Sequence, residues 1–239
     1  MNQTVCISIR DLCKRYKKFA VLNHITLEVN TGERILISGN NGSGKSTLLR
    51  CISQLESYEN GVIRIGNNSF SPNCTTHIKN VFYQQRILGF VMQQDAVWPH
   101  LSTKENISVP LHYVIGLSKK EANRRAMKLI DQASLLHKQN DLAETLSGGE
   151  KRRLSIIRTL ALKPEILLLD EITANLDKTS IVKIRTLLST LPTNITMIAV
   201  SHQPEDLSSI ITRHLCMKSG EISELPYQAP EEANSPSYT

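Results

Sequence analysis

Along the first third of the chain, apolar residues alternate with polar ones at a period of two. Ile25, Leu27 and Val29, led by Leu22, carry this alternation across 20–30, which predicts a half-buried strand. Similar runs predict strands over 5–10, 34–38 and 62–65, with Gly32, Gly61 and Gly66 marking turns. A helical stretch, 45–55, follows the short apolar strand 34–38 across a glycine-rich loop. In the middle of the chain the period lengthens. Ala122, Ala126, Leu129, Ile130, Ala133 and Leu136 recur at helical spacing behind Ser118-Lys-Lys-Glu121, which reads as a capping box. The last third alternates: helix 148–162, strand 166–170, helix 180–191, strand 195–201, a short helix 204–211, then strands near 214–217 and 221–222. Short apolar strands separated by helices imply an α/β fold, a parallel sheet covered on both faces. No internal repeat is evident.

The apolar runs at 166–169 and 195–200 are far shorter than the roughly 20 residues a membrane-spanning helix needs. The start, MNQTVCISIR, lacks the apolar stretch of a signal peptide. Any membrane role is therefore expected through a partner. The 239 residues, 40% hydrophobic and 21% charged, suit one large domain, expected over 1–224 with a helical insert over about 95–150. The segment 225–239 has three prolines and few apolar residues, and is expected to be a flexible tail. A net charge of +6 suits a nucleotide or an anionic membrane surface; no nucleic acid is expected as a partner. Cys6, Cys13, Cys51, Cys74 and Cys216 are odd in number and never spaced CxxC, which fits reduced cytosolic thiols rather than disulfides or a zinc framework.

The chemistry concentrates in three motifs. Gly39, Asn40, Asn41, Gly42, Ser43, Gly44, Lys45, Ser46 and Thr47 satisfy G-x-x-x-x-G-K-[ST], with a strand before and a helix after. Glycines let the backbone turn its N–H groups inward around phosphate oxygens, and the following helix presents its positive end. Lys45 supplies a point charge for the terminal phosphates, and the Ser46 hydroxyl can ligate Mg2+. The apolar run 166–169 ends in Asp170 and Glu171: one carboxylate can hold Mg2+, the next can polarise a water for in-line attack on the γ-phosphate. Leu146-Ser147-Gly148-Gly149-Glu150 reads as a helix cap, but two glycines in a first turn cost about 1 kcal/mol each against alanine in a helix interior. Bare amides at a helix start make an anion site, so this motif reads as a second phosphate-binding surface.

LSGGE between a P-loop and a DE strand resembles the signature of the ABC ATPases, and the resemblance runs from Cys6 to about Ile222. It implies further roles. Tyr16 stands where the family places an aromatic on adenine, a role Phe19 can share; Gln93 matches the glutamine that contacts Mg2+ and the attacking water. Asp177, in Ala174-Asn-Leu-Asp177, matches the D-loop, and His202 matches the switch histidine that touches the γ-phosphate. Ile172 departs from the family's usual proline; Ile157 and Thr159 replace commoner alanines, while Arg153 and Arg158 match.

The fold so implied is a P-loop NTPase sheet core with an antiparallel β lobe and a helical insert carrying the signature. The implied function is ATP hydrolysis at the cytoplasmic face of a membrane, with ATP and Mg2+ as cofactors. The partners would be integral membrane permease subunits and a second ATPase subunit, identical or a close paralogue. ATP would lie between one subunit's P-loop and the other's Ser147–Gly149 amides. A soluble ABC protein of DNA repair or the ribosome is disfavoured by the single cassette, and a kinase or GTPase by LSGGE. LLRCISQLE, WPHLSTKENISVPL and GLSKKEA resemble the polar amino-acid uptake branch, while the LSGGE and ANLD spellings lean toward the lipoprotein and exported-peptide branch. Trp98 and Leu101, next to Gln93, stand where the family docks its membrane partner; either can instead be buried within the domain.

Overall fold

The computed structural model describes residues 4–72, 87–94 and 96–225. Cys74 and the tail beyond Leu225 lie outside them. Strands Val5–Tyr16 (β1), Phe19–Asn30 (β2), Asn60–Ile65 (β4) and Asn68–Phe70 (β5) build an antiparallel sheet in the order β2-β1-β4-β5. Between them in sequence lie strand Arg34–Ser38 (β3) and helix Lys45–Ile52 (α1). Strands Leu88–Val91 (β6), Ile166–Asp170 (β7), Thr196–Ser201 (β8), Arg213–Lys218 (β9) and Glu221–Glu224 (β10) join β3 in a second, six-stranded sheet ordered β10-β9-β3-β8-β7-β6. It is parallel except for β10. Helices Thr103–Tyr113 (α2), Lys119–Gln132 (α3) and Gly148–Ala161 (α4) follow β6, and Lys178–Ser189 (α5) connects β7 to β8.

The central strands bury both faces, and their alternation divides the core in two. Ile35, Ile37, Ile166, Leu168, Ile198 and Val200 face α1 and the β lobe, among Leu48, Leu49, Ile7 and Ile63. Leu36, Leu167, Leu169, Met197 and Ala199 face the helices, among Ile107, Leu154, Ile157 and Ile184. A run such as ILLLD, buried at every position, can fit only the middle of such a sheet.

Local chemistry fixes the helix starts. Ser102 and Glu105 close a reciprocal capping box on α2, and Ser147 and Glu150 close another on α4. The box expected at Ser118 forms only by half. Ser118 accepts from the Glu121 amide at 3.2 Å, but the Glu121 carboxylate turns outward to Arg124, at 2.8 and 3.0 Å. β1 runs on to Tyr16, past the expected end at 10, because Asp11 adopts a left-handed conformation (φ 54°) that bulges the strand without ending it. α1 stops at Ile52 where Gln54 turns left-handed, and 204–211 forms two 3-10 turns in place of one helix.

α4 and α5 meet at Gly149. A methyl group there would lie 2.2 Å from Ser180 Oγ and 2.7 Å from Ser180 Cβ. Ser180 cannot swing away freely, since its amide and hydroxyl both donate to Asp177, at 2.9 and 2.8 Å, as the cap of α5. Gly149→Ala should therefore overpack this contact and destabilise the domain by about 1–3 kcal/mol, lowering the urea midpoint. Adding Ser180→Gly should recover part of that loss. If Gly149→Ala unfolds with the parent chain, close helix packing is not what selects this glycine.

Candidate nucleotide site

The loop after β3 is shaped by glycines that no other residue can replace in place. Gly39 has φ 151°, and a Cβ on it would sit 2.2 Å from the Met217 carbonyl; Gly44 has φ 108°, and its Cβ would sit 2.6 Å from the Val21 carbonyl. With Gly44 as its N-cap, α1 has no side-chain cap, so its first amides are left for an anion. The buried Lys45 ammonium donates to the loop carbonyls of Gly39 (2.7 Å) and Asn40 (3.1 Å), which holds the charge at the mouth of the loop. Among the described residues, the Ser43 hydroxyl is buried without a protein partner, the orphan donor a phosphate oxygen would satisfy.

The end of β7 supplies both acids. The Ser46 hydroxyl donates to Asp170 Oδ1 at 2.6 Å, bringing two hard oxygen atoms together of the kind Mg2+ takes. Burial pushes the Asp170 carboxyl up from its ordinary range, opposed by the Ser46 hydrogen bond and the Arg50 charge. Glu171 follows with φ 48°, a left-handed conformation that turns its side chain out of the strand path into the cleft. There it is held from both sides. Oε1 lies 3.6 Å from Lys45 Nζ, and Oε2 lies 2.8 Å from His202 Nδ1 and 3.3 Å from the His202 amide nitrogen.

These groups line a cleft of about 560 Å3 that includes Asn41, Gly42, Ser43, Gly44, Lys45, Ser46, Thr47, Gln93, Glu171 and His202. Gly39 and Asn40 contribute through the carbonyls that hold Lys45, and Asp170 through Ser46. Val21 also lines the cleft and was not singled out from the sequence, and Ala174 and Asn175, read there only as part of the ANLD motif, line it too. The asparagine of ANLD carried the signal, because Asn tolerates the φ of 60° it adopts. Tyr16 stands at the end of β1, opposite Phe19 across the turn. Lys14 lies 4.9 Å from the Tyr16 ring centre. Both aromatics are exposed and outside the cleft lining. Ser147, Gly148, Gly149 and Asp177 also lie outside it, grouped where the N-terminal ends of α4 and α5 meet.

A separate groove of about 620 Å3 is lined by Leu55, Phe90, Met92, Trp98, Val114 and Arg158, among others. The Arg158 guanidinium stacks 3.7 Å from the Trp98 ring centre and donates to the Ala96 carbonyl. Leu101 is not part of this lining; its carbonyl accepts from Asn106 Nδ2 and the Ala143 amide inside the domain. Asn106, fully buried, bonds both backbone groups of Trp98 (2.8 and 3.0 Å) and sets that loop. The three departures from the family pattern are absorbed by packing. Ile157 and Ile172 are core residues, and the Thr159 methyl occupies the space where a Cβ on Gly89 would fall, 2.6 Å away.

Residues 22–174 match the family described as "ABC transporter". The arginine transport ATP-binding protein ArtP of Escherichia coli (strain K12) is 36% identical over 87% of each chain. The methionine import ATP-binding protein MetN of Clostridioides difficile (strain 630) is 35% identical over 92% of this chain and 68% of its own. Among solved structures, a dimeric post-hydrolysis state of the ATP-binding cassette MJ0796 bound to ADP and Pi is similar with a TM-score of 0.82 at 30% identity, over 93% of this chain and 99% of that one. The phosphate loop, the paired acids of β7 and the signature helix lie on the fold those relatives share, and the chain belongs to the ABC transporter family as one of its ATP-hydrolysing cassettes.

Proposed function

We propose that this chain is the motor of an importer of polar amino acids, hydrolysing ATP in the cleft around Lys45 and driving membrane-spanning partners. The observation that carries the catalytic half is the Glu171 carboxylate, fixed between Lys45 and His202 at the floor of the phosphate loop. Asn41–Thr47 amides, the Ser43 hydroxyl and Lys45 bind the phosphates. Ser46 and Asp170, with Gln93 across the cleft, would hold Mg2+, which when bound neutralises charge on the phosphate oxygens. Glu171 accepts the proton of the attacking water, and His202 keeps its carboxylate aimed. Tyr16, with Phe19 beside it, offers the adenine a stacking face. Glu171→Gln should retain ATP binding in an equilibrium titration while slowing turnover by about 10²–10⁴-fold. Unchanged turnover would move the base elsewhere, His202 first.

The second half of the site comes from another subunit, identical or a close paralogue. The exposed amide of Gly148 and the capped N-terminus at Ser147 open to solvent away from the chain's own cleft, which favours a phosphate brought by a neighbour. Asp177 caps α5 beside them and would meet the same junction. In this reading Gly149 serves packing and Gly148 serves access. Lys45→Ala and Ser147→Arg subunits, each inactive alone, should regain ATPase activity when mixed, because one composite site is intact. A rate no higher than the sum of the two, with mixed dimers shown to form, would exclude shared sites.

The substrate class rests on the relatives, whose named activities are arginine transport and methionine import, and on the three stretches that resemble amino-acid uptake cassettes. A lipoprotein or efflux role is the alternative. Coupling to the permease would run through the groove at Trp98, at the cytoplasmic face of the membrane; among the described residues no helix is long and apolar enough to cross a membrane. Within the unit 1–224, residues of about 95–150 would form the insert that couples the cleft to the groove. Deleting the gene should abolish uptake of labelled glutamine, histidine or arginine. Normal uptake of all three alongside a lipoprotein-sorting or efflux defect would overturn the substrate and leave the ATPase in place.

A further inference from the structure

On the β lobe, outside the cleft lining, β1 and β2 carry two bulges back to back. From Ile9↔Leu27 to Leu12↔Ile25, β1 advances three residues while β2 advances two; from Leu12↔Ile25 to Lys14↔Leu22, the count reverses. Each extra residue sits within a left-handed step, Asp11 at φ 54° on one strand and His24 at φ 51° on the other. Bulges re-aim side chains, and this pair turns Asp11 and His24 toward each other and toward Cys13. One donor atom from each of Asp11, Cys13 and His24 lies within 4.8 Å of the other two. Asp11 Oδ1 and His24 Nδ1 are 2.5 Å apart, while Asn60 Nδ2 donates to the other carboxylate oxygen, Oδ2, at 2.8 Å. The Asp11 backbone amide is separately tied to Thr26 Oγ1 at 3.2 Å.

We propose that Asp11, Cys13 and His24 form a binding site for a borderline transition-metal dication of the Zn2+ class, distinct from the Mg2+ that accompanies ATP. Sulfur, imidazole nitrogen and carboxylate oxygen together select such an ion, because a thiolate discriminates against Mg2+ and Ca2+. Three protein donors leave the fourth tetrahedral position to water. The cation takes the place of the hydrogen between Asp11 and His24, the imidazole keeping its proton on Nε2, and displaces the Cys13 thiol proton, which is released to solvent. Asn60 is a positioning residue. Its bond to Oδ2 leaves Oδ1 facing the site, the supporting role that outer hydrogen bonds play at metal centres. The ion would clasp β1 to β2 three residues before Tyr16, bracing the strand that carries the adenine face.

The test uses the full chain, stripped of metal and free of nucleotide, titrated with Co2+ alone and followed by optical absorption. One equivalent should bind with a thiolate-to-cobalt charge-transfer band in the near ultraviolet, and added Zn2+ should bleach it while Mg2+ does not. Cys13→Ser should abolish the band. His24→Gln, an exposed substitution that leaves folding intact, should weaken Co2+ binding by more than tenfold, and Asn60→Ala by about tenfold. No band in the parent chain means that the cluster is only a surface His–Asp pair beside a thiol, and overturns the site. A band that persists in Cys13→Ser, or an affinity unmoved by His24→Gln, places the metal on other residues and overturns it equally.

Discussion

A parallel sheet buried on both faces leaves its strands no place for a charged side chain except at their ends. In β3, β7 and β8 nearly every residue is committed to one of two cores, and the polar groups gather where the strands stop: Ser38, Asp170 with Glu171, and Ser201 with His202. The phosphate loop leaves β3 at the same edge. A cation, a carboxylate pair and an imidazole thus converge from three points in the sequence without any of them crossing the interior. Glu171 shows the cost of that arrangement. A non-glycine residue at φ 48° is strained, and it persists because its amide donates to Val200 while its carboxylate is gripped by Lys45 and His202.

The same constraint explains what could be read from the sequence. Strands buried on both faces, such as ILLLD, and glycines fixed by backbone contacts, such as Gly39 and Gly44, are dictated locally, so β3, β7, β8 and the phosphate loop were legible. β6 was not, since Leu88–Val91 offers only four residues and pairs on one side alone. α2 was hidden because its buried face mixes Ile107 and Leu111 with Thr103, Asn106 and Ser108, polar groups whose burial depends on the loop they brace. The failed half of the Ser118 box has a local cause: a nearby Arg124 competes for Glu121 more favourably than a backbone amide.

Within the candidate site, the polar and charged groups were legible and their positions were not. Lys45, Asp170, Glu171 and His202 announced themselves by residue type and motif, but the clasp that holds Glu171 between a lysine and a histidine is a tertiary fact. Val21 lines the cleft with no chemistry of its own and outside every motif, so only geometry could find it. Gly149 is the instructive case. In sequence both signature glycines look alike, two weak helix formers beside an anion-binding cap. In the fold they separate, one pressed against Ser180 and the other open to solvent.

That separation bears on why the nucleotide cleft faces outward. The chain's own cleft offers the phosphates a lysine, a serine hydroxyl and one uncapped helix, all on a single side. The signature helix, whose start is capped by Ser147 and Glu150 and carries the exposed Gly148, begins outside the cleft lining. A helix end stabilises an anion only within its first turn, so under the proposed function these two helix starts would serve one nucleotide only across subunits. A second subunit, inverted against the first, would bring each signature helix to the opposite cleft. Hydrolysis followed by departure of the freed phosphate would then remove the charge that both helices share, which is how chemistry confined to a strand edge could separate two domains and move a partner of the kind proposed to dock at Trp98.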